Sequence, residues 1–161
     1  MSGHTVRQRQ QTATRRPITS ATFLAAGLIA ASGCLFATPA SAQLWASQTP
    51  LTSMVDVDGH RVRIRTAAPH PRRLPGQPLV VLEAGFGSTV NSWGPFIGQV
   101  AAVAPVLAYD RAGLGESEWD GQTPTFDHIT GRLRRLLAEV GAEPPFVLVG
   151  HSFGGGLVRF F

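Results

Sequence analysis

Hydrophobic positions follow two regimes along the chain. From Met54 to Arg65 they alternate with polar ones, on either side of Asp58-Gly59. Period-two alternation predicts strands with one buried face, and Asp-Gly supplies the positive φ angles of a tight I′ turn, so this stretch predicts a β-hairpin. Val55, Val57, Val62 and Ile64 cover one face and leave Arg61, Arg63 and Arg65 toward solvent, either as a simple solvated face or as an anion-binding stripe. Beyond Gln77 the alternation stops. Leu79–Glu83, Pro105–Tyr109 and Phe146–Val149 are short apolar runs, the pattern of strands buried on both faces. Between hairpin and first run, Ala67–Gln77 holds Pro69, Pro71 and Pro75 and reads as a loop.

Helical periodicity fills the gaps between the runs. A helix is expected from about Trp93 to Ala102, with Ser92 as cap and Pro95 in its first turn. From Thr125 to Val140, Phe126, Ile129, Leu133, Leu136, Leu137 and Val140 recur at spacings of three and four, with Arg132, Arg134, Arg135 and Glu139 facing water. Gly141 suits the position after this helix, and Pro144-Pro145 prevents its continuation. Alternating strands and helices of this kind predict an α/β fold: a mostly parallel sheet with helices on both faces and a leading antiparallel hairpin.

Composition changes the picture at the N-terminus. Residues 1–42 hold Arg7, Arg9, Arg15 and Arg16, no acidic residue, an apolar run from about Ala21 to Ala31, and Ala40-Ser41-Ala42. These are the parts of a secretory signal peptide cut before Gln43, and they imply export to the periplasm or beyond. The run is too short and too rich in Ala and Gly for a stable membrane span. Three variants stay open: a twin-arginine route through Arg15-Arg16, an uncleaved leader acting as an anchor, and lipidation at Cys34. Residues 43–53 read as a connector, leaving 54–161 as the domain. Of 14 basic and 10 acidic residues, four basic ones lie in the leader, which leaves ten of each. The high pI thus belongs to the leader and gives no support for nucleic-acid binding. Cys34 is the single cysteine, so the domain has no internal disulfide, and no Cys/His cluster suggests a metal; no cofactor is expected.

The candidate chemistry sits where the last apolar run meets glycine. Val147-Leu148-Val149-Gly150-His151-Ser152-Phe153-Gly154 fits the G-x-S-x-G nucleophile elbow, in which a strand turns sharply into a helix with serine at the apex. Gly150 and Gly154 would flank the serine because side chains there collide when strand and helix close up. The Ser152 hydroxyl would then stand exposed near a helix N-terminus, whose dipole favours developing negative charge.

Together with L-E-A-G-F-G-S at 82–88 and Y-D-R-A-G-L-G-E-S at 109–117, V-G-H-S-F-G-G-G at 149–156 resembles the N-terminal half of an α/β-hydrolase-fold protein, over roughly Met54 to Phe161. The resemblance implies Ser152 as nucleophile and the backbone N–H groups of Phe86 and Phe153 as the oxyanion hole. Where many relatives have histidine before the matched Gly85, this chain has Ala84. It implies a secreted serine hydrolase acting on a small-molecule acyl substrate, an ester before an amide. Serine rather than aspartate at the elbow argues against dehalogenase or epoxide-hydrolase chemistry. The family's acid and histidine follow the serine in chain order; here only nine residues follow it, so the chain as given is expected to be inactive and to expose a sheet edge. A non-catalytic exported binding module is the competing reading. His151 is expected to point away from the hydroxyl, Asp110-Arg111 to form a scaffold turn, and His60, His70 and His128 to lie on hairpin, loop and outer helix. Trp93 and Phe96 line either an acyl pocket or the core.

Overall fold

The computed structural model describes residues 44–45, 47–69 and 74–161. The leader with its Cys34 and Ala40-Ser41-Ala42, Gln43 and His70 lie outside the described residues. Strand β1 (Leu51–Val57) pairs antiparallel with β2 (His60–Ala67), in the register Val57 opposite His60. Asp58 and Gly59 take φ of 54° and 79°, the I′ geometry expected of Asp-Gly. β1 begins ahead of the expected Met54, because Leu51, Thr52 and Ser53 pair with Thr66, Arg65 and Ile64. Part of the expected connector also belongs to the domain: the Thr66 hydroxyl donates to the Leu44 carbonyl at 2.6 Å, and Trp45 is buried in the core.

The three apolar runs become β3 (Leu79–Glu83), β4 (Val106–Tyr109) and β5 (Phe146–Gly150). The sheet order is β1-β2-β4-β3-β5, with β2 antiparallel to β4 and β3 parallel to both β4 and β5. β3 and β4 are buried as their sequences predict. β5 is not, because it forms the sheet edge, and Val147 is 46% exposed.

Helices cover both faces. On one, α2 (Phe126–Glu139) and α3 (Phe153–Phe160) lie against the sheet, and Leu133, Leu136, Leu137 and Val140 form a core with Val62, Ile64, Val81 and Leu107. Each such side chain contributes about 1.5–3 kcal/mol by leaving water. Thr125 caps α2 by accepting from the His128 amide at 3.2 Å. Gly141, at φ 64°, closes a Schellman motif in which Ala142 N–H donates to Leu137 and Gly141 N–H to Ala138. Arg132 does not face water as expected. It is buried against Asp120, its Nε 3.0 Å from Oδ2.

On the other face, the expected helix around Trp93 is two pieces, a 3-10 turn (Val90–Trp93) and α1 (Phe96–Ala101). Gly94, at φ 44° and ψ −128°, breaks them apart. The cap is Thr89, which accepts from Asn91 N–H, while the Ser92 hydroxyl donates to the Thr89 carbonyl at 2.7 Å. Val90, Ile97 and Ala101 pack there with Leu82, Val106 and Ala108. Among the described residues no helix is long and apolar enough to cross a membrane.

Candidate active site

Ser152 stands between β5 and α3 at φ 53° and ψ −118°. A non-glycine residue there costs about 1–3 kcal/mol and persists only where its surroundings enforce it. Here the enforcement is visible. A Cβ on Gly150 would run into the Gly154 carbonyl and lie 2.6 Å from Gly155 N. One on Gly154 would strike the Glu83 carbonyl and come within 2.7 Å of that of Ala84. The two glycines therefore let α3 pass directly over the ends of β5 and β3. Ser152 is exposed, and its hydroxyl makes no capping hydrogen bond to α3.

Phe86 lies on the loop after β3, with its side chain 84% exposed. Its ring meets that of Phe153 edge-on, centroids 5.8 Å apart, so the loop and the start of α3 are neighbours. Neither the Phe86 nor the Phe153 N–H has a hydrogen-bond partner among the described residues. Each belongs to a peptide whose carbonyl is held: Gly85 O accepts from Ser88 N–H at 3.2 Å, and Ser152 O from Gly155 N–H at 2.8 Å. The His151 N–H donates to the Glu83 carbonyl at 3.0 Å, and its ring lies beside Gly85, with Nδ1 3.1 Å from where a Cβ would stand. It makes no hydrogen bond to Ser152.

Beside the two phenylalanines opens a cavity of about 340 Å³, walled by Phe86, Phe153, Leu114, Trp119, Pro124 and Ile129. Trp93 is elsewhere. It stacks on Phe96 at 5.7 Å, against the core on the α1 face. His128 lies on the covering helix α2, as expected, and from there lines the cavity, with Nε2 2.8 Å from Asp120 Oδ2. Burial alone would raise the Asp120 pKa, but the His128 hydrogen bond, the Gln122 amide and the Arg132 charge outweigh it, and the carboxyl is held below its usual range.

Beneath the loop lies a buried polar cluster absent from the sequence reading. Arg111 Nη1 is 2.5 Å from Glu83 Oε1, and Tyr109 donates its hydroxyl proton to Glu83. Burial raises the Glu83 pKa against the lowering effect of Tyr109 and Arg111, and burial beside Glu83 pushes the Tyr109 hydroxyl well up. Asp110, fully buried, accepts from Val90 N–H at 2.7 Å and from Glu116 N–H at 3.2 Å. Arg63, expected in solvent, lies 3.1 Å from Glu116 and 3.7 Å from Asp110. One cue was present in the sequence: a glutamate ending an apolar run, Val80-Val81-Leu82-Glu83, needs a buried partner, and Arg111 ends the neighbouring run.

A half-parallel sheet of this order, with a strained serine at the strand-to-helix turn, defines the architecture of the hydrolases built on an α/β sheet. Residues 79–160 match the model of the alpha/beta hydrolase family, and the chain belongs to that family. It is 37% identical over 92 residues to an AB hydrolase superfamily protein of Gibberella zeae, covering 56% of this chain and 29% of that one. With epoxide hydrolase A of Mycobacterium tuberculosis it shares 37% identity over 112 residues, 68% of this chain and 33% of the relative. The crystal structure of epoxide hydrolase A from Mycobacterium thermoresistibile superposes with a TM-score of 0.58 at 31% identity, over 68% of this chain and 34% of that one. The chain thus spans about a third of the length of these relatives.

Proposed function

We propose that the protein is an exported serine hydrolase that cleaves carboxylic esters, and amides less readily, through an acyl-enzyme on Ser152. The observation that carries this reading is the exposed serine at φ 53°, held there by the packing of two glycines. Ser152 Oγ attacks the ester carbonyl while a base takes its proton. The oxygen gains negative charge and accepts from the Phe86 and Phe153 amides, both without a protein partner. Collapse of the tetrahedral species expels the alcohol, which is protonated by the same base, and water then releases the acid. In this reading the base is a histidine that follows Ser152 in chain order; among the described residues none of His60, His128 and His151 hydrogen-bonds to the serine. The apolar cavity beside Phe86 and Phe153 suits an apolar acyl or alkoxy group.

Relatives named epoxide hydrolases suggest ring opening instead. A serine hydroxyl in place of a carboxylate at the elbow favours ester chemistry. The test is fluorophosphonate labelling of the protein from its full reading frame: Ser152 takes the probe and Ser152→Ala does not. A folded protein that stays unlabelled favours the non-catalytic binding module. The export part rests on the leader alone, and the mature protein is expected to begin at Gln43. A mature chain starting at a lipidated Cys34 would place it on a membrane surface.

A further inference from the structure

We propose that Arg111 is a positioning residue for the oxyanion hole, holding and polarising the peptide that carries the Phe86 N–H; the inference rests on the acyl-enzyme reading above. The Arg111 guanidinium donates through Nη1 to the Ala84 carbonyl at 2.7 Å and through Nη2 to the Gly85 carbonyl. Gly85 C=O and Phe86 N–H are the two ends of one planar trans peptide, so they point in opposite directions. Fixing the oxygen on Arg111 therefore fixes the direction of the hydrogen. A cation on the oxygen also draws electron density from the N–H, and such polarisation strengthens the next hydrogen bond in the chain, by about 10–30% per bond in condensed-phase estimates.

Arg111 is well placed for this work. It is 8% exposed, and its other strong contact, Glu83, is 1% exposed, so the guanidinium is largely withdrawn from solvent and held in place. Tyr109 fixes Glu83 in turn. The Phe153 ring lies over the guanidinium, 5.5 Å from centroid to Cζ, which ties the same cation to the residue carrying the second candidate donor. The neighbouring residue secures the far end of the loop, since Asp110 accepts from Val90 N–H. Two consecutive residues at the end of β4 thus bracket residues 84–90, and the pair read from sequence as a scaffold turn acquires a direct line to the reacting oxygen.

The decisive variant is Arg111→Lys, made in the full-length protein. Lysine preserves the charge that Glu83 needs but has a single nitrogen, which cannot reproduce the two-nitrogen fork across Glu83, Ala84 and Gly85. Loss of a whole oxyanion donor costs about 100–1,000-fold in kcat, and a loosened one is expected to cost about 10–100-fold, with KM within threefold. Affinity for a trifluoromethyl ketone, whose bound hemiketal bears an oxyanion, should fall in step with kcat/KM. Leu133→Ala, a core truncation remote from the loop, should lower stability and leave kcat and ketone affinity unchanged. Wild-type kcat in Arg111→Lys, with Ser152→Ala inactive, overturns the positioning role alone. A lowered kcat with unchanged ketone affinity overturns it as well. Where Arg111→Lys fails to fold, Arg111→Met combined with Glu83→Gln removes the buried charges together, and the same paired loss is expected. Turnover that survives Ser152→Ala overturns the acyl-enzyme reading itself.

Discussion

Substituting the second elbow glycine puts the geometry of the turn under direct strain. In Gly154→Ala the new Cβ would stand 2.7 Å from the Ala84 carbonyl oxygen, about 0.7 Å short of the 3.4 Å at which such a contact becomes ordinary, and it meets the Glu83 carbonyl as well. Both obstacles are main chain, at the end of β3, so no side chain can rotate away. Either α3 lifts or the loop carrying Phe86 retreats, and each route separates Ser152 from that loop. Overpacking of this kind costs about 1–3 kcal/mol, and two backbone carbonyls place this case toward the upper end. A misplacement of this order also costs catalysis about 100-fold. Gly155→Ala is the matched control. Its Cβ would find nothing nearer than the Gly150 oxygen at 3.9 Å, and exchanging a helical glycine for alanine gains about 0.5–1 kcal/mol. Urea unfolding of the two variants in the full-length protein should therefore move in opposite directions, and ester turnover should fall in Gly154→Ala alone. Equal stability and equal activity for the pair would refute the close approach of α3 to β3.

Three further expectations follow from the same geometry. Phe86→Ala removes an exposed ring and keeps the amide, so much of the activity should survive; Phe86→Pro removes the donor and should lower kcat about 100–1,000-fold, with equal turnover of the two excluding Phe86 from the mechanism. Ser152→Gly should abolish turnover yet raise stability by about 1 kcal/mol, because glycine adopts positive φ freely; a loss of stability would mean the backbone at 152 is unstrained. Asp120 is held below its ordinary value of 3.8, so its contribution to stability is in place above that pH and is lost as pH falls further. Glu83 is raised above 4.5, so its contribution is greatest below that pH and declines as pH rises through the folded value. Asp120→Asn should flatten the acid limb of the stability curve and Glu83→Gln the decline above it, both read by unfolding at a series of pH values; slopes matching wild type would contradict the assignment.

Local chemistry was legible where one or two residues decide the conformation. Asp58-Gly59 dictates its own turn, Thr125 and Gly141 mark the ends of α2, and Gly150 and Gly154 announce a close crossing before any partner is known. Partnerships across the sheet were less legible. Arg63 and Arg132 sit at positions that periodicity assigns to solvent, and both are drawn inward by carboxylates outside their own elements, Asp110 and Asp120. Thr89 rather than Ser92 is the cap because the 3-10 turn already starts at Val90, and Gly94 then breaks it from α1, which needs only one residue with no side chain. Trp93 follows that turn into the core of the α1 face, away from the cavity. The clamp of Arg111 on the Phe86 loop joins strands that are adjacent in the sheet but separated by more than twenty residues, and no local pattern encodes such a meeting.

The claim that Ser152 carries the acyl group is tested most directly by trapping it there. The full-length protein would be mixed with a nitrophenyl ester, quenched in acid within the first turnover, digested, and mapped by mass. An added acyl mass on Ser152, formed as a burst of nitrophenol and absent from Ser152→Ala, is the predicted result. Turnover of the ester with no acyl mass on that serine, or at an undiminished rate in Ser152→Ala, would contradict it.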